Sequence, residues 1–145
     1  MNCTNDIFFD MSFDYLYDLF GRFIEKETKF SDVEERAKRL LSLYASGNIG
    51  RDAFGEQMEK VEIDFHALMK DDSGNYVFDQ DTPGWLNLFL GNKFSRWNRM
   101  RKIMNAARQN QEMTSSPQWT EALEIFDAEE KGMKEAIVYC LEELG

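Results

Sequence analysis

Apolar residues return every three or four positions through most of this sequence, and only two prolines interrupt its 145 residues. That period is the one an α-helix needs to gather its apolar side chains on one face. A β fold would need alternation with period two and dense turn residues, and only Tyr76-Val77-Phe78 reads as an extended stretch. The sequence therefore predicts an all-α fold, a single bundle-like domain of five or six helices with short connections. The length suits one domain with a real core.

Five stretches carry the pattern. Phe9, Phe13, Leu16, Phe20 and Phe23 make a first stripe, on a helix from about 10 to 26 capped by Asp10 or Ser12. Ser31 and Glu34 have capping-box spacing, and Val33, Ala37, Leu40, Leu41 and Tyr44 follow, with Gly47 as a C′ stop. Phe54, Met58, Val61, Phe65 and Leu68 form the next stripe, so residues 32–70 should fold as an antiparallel helical hairpin. Asp71 to Asn75 is a turn cluster. Pro83 suits the first position of a helix capped by Asp81 or Thr82. Its apolar row runs through Leu86, Leu90, Trp97, Met100, Met104 and Ala107, with a break allowed at Gly91-Asn92. After Ser116-Pro117, a last helix carries Trp119, Leu123, Phe126, Met133, Ile137, Cys140, Leu141 and Leu144, with Gly132 as a potential kink. The methionines fall on these stripes and read as core filler.

Several chemistries lack their residues. His66 is the sole histidine, which removes multi-histidine metal sites and leaves no identifiable triad. Its best partner on helical spacing is Glu62, as a histidine at the core boundary. Asp71 and Asp72 suggest calcium, but the glycine and glutamate that an EF-hand loop requires are out of place. Cys3 and Cys140 read as free thiols of a reducing compartment. No run approaches the roughly 18 apolar residues of a membrane span. A soluble, cytoplasmic domain without cofactor, metal or enzymatic activity is expected.

The charge is unevenly placed. The chain has 17 basic and 27 acidic residues, a net charge of −10. Residues 82–111 hold 6 basic and no acidic groups, whereas residues 112–145 hold 2 basic and 9 acidic ones. Asp10, Asp14 and Asp18, preceded by Asp6, recur every four residues, a row with about 6 Å per step on a continuous helix. Such like-charge spacing opposes helix formation, so a sequence that keeps it is a candidate for using it. Tyr15 lies near the same side as an interface anchor, and Glu56 and Glu59 make a second acidic ridge with Glu62. The competing reading is a plainly solvated face, with Asp18 paired to Arg22. The basic segment 93–108 has Arg99 and Lys102 as its best surface cations. Its charges do not share one face, so a helix neutralised by acidic neighbours fits it better than a phosphate-tracking surface, with Arg96 partly buried against a carboxylate.

The stretch Ala45-Ser46-Gly47-Asn48-Ile49-Gly50-Arg51-Asp52-Ala53-Phe54 resembles the helix–turn–helix junction of several small helical families, among them bacteriocin immunity proteins of the colicin D type. No site residue is carried over from that likeness. The leading expectation is a non-catalytic acidic protein that blocks a basic partner, such as a nuclease or nucleoprotein complex, through Asp10, Asp14, Tyr15 and Asp18, with Glu56 and Glu59 second. The alternative is a helical structural or regulatory module that binds nucleic acid or an acidic protein through Arg99 and Lys102. Strong net acidity opposes general nucleic-acid binding.

Overall fold

The computed structural model describes residues 28–77 and 79–144. Within them lie α1 (Ser31–Ala45), α2 (Arg51–Leu68), α3 (Gly84–Leu88), a π-helical turn (Phe89–Lys93), α4 (Phe94–Arg108), α5 (Gln111–Thr114) and α6 (Gln118–Leu144). The fold is all-α and bundle-like, with α1 and α2 as the expected hairpin. Extended pairing among the described residues is limited to one isolated bridge between Lys70 and Tyr76. The helix expected at 10–26 lies outside the described residues.

The N-cap of α1 is Phe30, without a side-chain cap, one residue before the Ser31 expected there, and side chains tie the turn that leads into it. Thr28 Oγ1 accepts from the Phe30 amide at 3.1 Å, and Ser31 Oγ accepts from the Thr28 amide at 2.9 Å. Both amides of this lead-in turn thus find acceptors. At the other end Gly47 takes φ +78°, which only glycine adopts without strain. The Asn48 amide reaches the Leu43 carbonyl at 2.8 Å, and the Gly47 amide reaches that of Tyr44 at 3.1 Å, a Schellman stop. Val33, Ala37, Leu40 and Leu41 are buried from α1, and Phe54, Met58, Val61 and Phe65 from α2, as their periods predict.

Beyond α2, Asp71 Oδ1 accepts from the Ser73 and Asn75 amides, both at 2.9 Å. This aspartate builds a turn. Pro83 sits one position outside the helix, as its extended N-cap residue, and α3 starts at Gly84. The expected break at Gly91-Asn92 is a widened π turn instead. Its extra width keeps the steps of four from Leu86 to Leu90 to Phe94 on the buried side, after which α4 continues with Trp97, Arg101 and Met104. Asn110 then caps the short α5 by accepting from the Glu112 and Met113 amides. Helix α6 runs through Gly132 without interruption.

The core is a relay of rings across the helices. Tyr44 of α1 stacks on Phe54 of α2 at 4.3 Å between centroids. Phe54 lies 5.8 Å from Trp97 of α4, and Trp97 lies 6.4 Å from Phe126 of α6. Such pairs contribute about 0.5–1.5 kcal/mol each beyond their burial.

One buried cation interrupts this apolar interior, and it is Arg101, not Arg96 as the helical projection predicts. Arg96 is well exposed and pairs with Glu129 of α6 at 3.0 Å. Phe94, Trp97 and Met104 set the inward face of α4, and on the helical period Arg101 falls among them while Arg96 falls opposite. The Arg101 side chain is 4% exposed, its Nε donates to Asn98 Oδ1 and its Nη1 to Asp52 Oδ1, both at 3.0 Å. The guanidinium lies where Gly55 of α2 leaves room, since a Cβ on Gly55 would stand 2.6 Å from Arg101 Cζ. Gly55→Ala should therefore cost about 1–2 kcal/mol in urea denaturation, the lost charged hydrogen bonds outweighing the gain in helix propensity. In an Arg101→Ala background the same change should become neutral or stabilising; equal losses in both backgrounds would refute the seat.

Candidate interaction surfaces

Asp10, Asp14, Tyr15 and Asp18 lie outside the described residues. Of the other predicted positions, Glu59 and Lys102 meet across the seam between α2 and α4. They form an ion pair, so one member of the proposed acidic ridge neutralises one member of the proposed basic surface. Asp52 accepts from Asn105 Nδ2 at 2.7 Å and from Arg101 at 3.0 Å, and these bonds, Asn105 first, hold its carboxyl below the usual range. Glu56 and Arg99 are exposed and make no ion pair among the described residues.

Glu62, the third acid of the ridge, is half-buried between α2 and α4. Burial pushes its pKa up, Ser95 and the charges of Lys102 and Arg99 oppose the rise, and Glu59 adds to it. One of its oxygens is buried without a hydrogen-bond partner. The expected bond between Glu62 and His66 is not formed. His66 stands edge-on to Tyr76 at 5.9 Å and to Phe65 at 5.5 Å. Its pKa is lowered by burial and then by Lys70. Glu62 is thus a carboxyl whose charged form the fold disfavours. Glu62→Gln should raise stability at pH 7 and lose that advantage as pH falls below the usual Glu value near 4.5. Asp52→Asn should do the reverse, lowering stability at neutral pH and losing its effect in acid, because the Asp52 pKa is depressed. Matching pH profiles for the two variants in chemical denaturation would contradict this assignment.

A second charged centre joins four helices, and no spacing motif announces it. Glu130 falls in the buried row of α6 between Phe126 and Met133, and its side chain is 9% exposed. Its Oε1 accepts from Tyr44 of α1 at 3.3 Å and from Arg51 Nη2 of α2 at 3.2 Å, with Lys134 of α6 at 3.5 Å. Its Oε2 accepts from Trp97 Nε1 of α4 at 3.4 Å. Arg51 Nε lies 2.8 Å from the same oxygen, an ionic contact without the alignment of a hydrogen bond. The phenol of Tyr44 is pushed up to about 12, by burial first and by Glu130 second. Both oxygens of this carboxylate accept from other helices, which makes it a tie between them. The legible signal was an acid inside an apolar row.

The outer side of α6 has a different character. Glu121, Glu124, Asp127, Glu135 and Glu142 are exposed there, and none of the five is in an ion pair among the described residues. Ile125, Val138 and Tyr139 lie on the same exposed side, each about half exposed. The segment charge count contained this surface, but residue-by-residue reading placed no site on it. Among the described residues, no group of three or more His, Cys, Asp or Glu side chains is arranged to hold a metal. None of their helices is long and apolar enough to cross a membrane.

Glu130→Ala should destabilise the bundle by about 1–3 kcal/mol, since it leaves the buried indole N–H of Trp97 and the buried Nε of a part-exposed Arg51 without their acceptor, and should shift the emission of Trp97. A loss under about 1 kcal/mol, the range of exposed pairs, would show that the centre is only surface decoration. The likeness of residues 45–54 to other helical hairpins is accounted for by the Gly47 stop and by Ile49 and Phe54 packing on the core. No protein-family model, curated protein or solved structure matches this chain.

Proposed function

We propose that this chain is a non-catalytic binding protein that presents carboxylates to a basic, nucleic-acid-handling partner and blocks it. The observation that carries the reading is the outer face of α6, where unpaired acids surround half-exposed Ile125, Val138 and Tyr139. Carboxylates of this kind steer a cationic surface during encounter, and desolvated aromatic and aliphatic anchors slow its departure. The cations of α4 support the same direction, since Arg96, Arg101 and Lys102 are already occupied by Glu129, Asp52 and Glu59. Asp10, Asp14, Tyr15 and Asp18 remain part of the proposal on sequence grounds, as does the exposed Glu56 of α2.

The test is capture from host lysate at low and moderate salt, with nuclease-treated controls, followed by association kinetics on the retained protein. Glu124→Lys with Glu135→Lys, and separately Asp14→Lys with Asp18→Lys, should slow association at least about tenfold for whichever surface is used. Arg99→Glu with Lys102→Glu should leave that association intact. Retention of nucleic acid or an acidic protein, lost on reversal of Arg99 and Lys102, would replace this reading with binding through the basic helix.

A further inference from the structure

Helix α6 carries a second pattern besides its buried stripe. Ile125, Gly132 and Tyr139 stand seven residues apart, and Glu121, Ala128, Glu135 and Glu142 alternate with them at the same interval. Seven residues make nearly two full turns, so each set keeps to one side of the helix, next to the other. The two sets avoid the buried row of Phe126, Met133 and Ile137 and form an open lane. From Ile125 to Tyr139 the lane is about 21 Å long at the rise of an α-helix. Its apolar side is open to solvent: Ile125 is 52% and Tyr139 51% exposed, and a Cβ on Gly132 would meet nothing within 4 Å. At the Tyr139 end, Gly84, Trp85 and Leu88 of α3 close a recess of about 370 Å³ against Tyr139 and Glu143, and Leu88 is 42% exposed. Glu121, Glu124, Glu135 and Glu142 flank the lane without an ion pair among the described residues. Nearby cations do not offset them. Arg96 is paired to Glu129 on the α4 side, and Lys131 lies one turn from both Asp127 and Glu135.

We infer that the partner bound by the α6 face brings to it a basic, amphipathic helix, an inference that rests on the proposed reading of that face. Positions repeating at four and three residues match the ridge of a second helix lying nearly along the first, at a crossing of about 20°. Ala128 and Gly132 let the two backbones approach at the middle of the lane. An aliphatic or aromatic side chain of the partner fills the recess at Trp85 and Leu88. Lysines and arginines on the flanks of the partner helix meet the glutamates beside the lane. A second copy of this chain is a poor occupant, since it sets the same glutamates and a net charge of −10 against them. Nucleic acid is repelled by the same charges.

The experiment is fluorescence anisotropy on the full chain at low and moderate salt. The probe is a labelled peptide of Leu, Lys and Ala with its leucines at alternating steps of four and three. It is compared with a scrambled peptide of the same composition, whose leucines share no helical face. The ordered peptide should bind at least about tenfold more tightly. Ile125→Asn with Tyr139→Asn should abolish that preference, and Ile63→Asn, at an exposed position of α2, should change it less than about twofold. Ile125→Ala with Tyr139→Ala gives the same comparison if the first pair loses helical circular dichroism. Glu124→Lys with Glu135→Lys should weaken both peptides. Equal binding of the two peptides, or a preference that survives the loss of Ile125 and Tyr139, overturns the inference. If the charge reversal still weakens binding in that case, the acidic face stands as an interface without a helical partner. Binding indifferent to the charge reversal as well overturns both readings.

Discussion

A carboxylate removed from water costs several kcal/mol unless donors replace its hydration, and the bundle is arranged around one that has them. Glu130 of α6 is met by Tyr44 from α1, Arg51 from α2 and Trp97 from α4, so a single side chain touches all four long helices. Apolar stripes are non-directional and would let a helix slip by a turn with modest loss of burial. A buried charge with fixed donors does not allow such a slip, because any shift strands it or its partners. The positions of the four helices along one another therefore depend on this centre more than on any one apolar contact.

Trp97 links that centre to the buried charge of opposite sign. Its indole N–H donates to Glu130, while the guanidinium of Arg101 lies 5.9 Å from its ring centroid. Arg101 in turn faces the open space at Gly55 and pairs with Asp52, the residue next to Arg51 at the start of α2. Helix α4 is thus held on two sides by charges that the core would reject individually. This explains how a segment with six basic and no acidic residues occupies the middle of the fold.

The hairpin was legible because its signals are local. A C′ glycine, two apolar stripes and a short turn specify it without reference to the rest of the chain. The turn at Asp71 and the helix beginning at Gly84 were readable on the same terms. What escaped depends on phase. The side of α4 centred on Trp97 and Met100 was read as buried, whereas Phe94, Trp97 and Met104 bound the buried side, which turns Arg101 inward and Arg96 outward. Glu59 and Lys102 were assigned to opposing surfaces because contact between residues 43 apart has no trace in either helix alone. Glu130 was concealed differently, as a polar interruption that pattern reading passes over. Of the candidate surface, Glu56 and Arg99 keep the exposure expected of them, and the acids of α6 were visible only as a segment total.

The widened turn before α4 has a consequence for how this chain can change over generations. Each residue added to or removed from a helix rotates the remainder of that helix by about 100°. Loss of one residue between Leu86 and Phe94 would swing Trp97 away from Glu130 and Arg101 away from Gly55 in the same event. The loop around Gly74 is under no such constraint, since a turn absorbs length without transmitting rotation. Lineages of this fold should therefore vary in length freely at that loop and hold their spacing rigidly across the π turn.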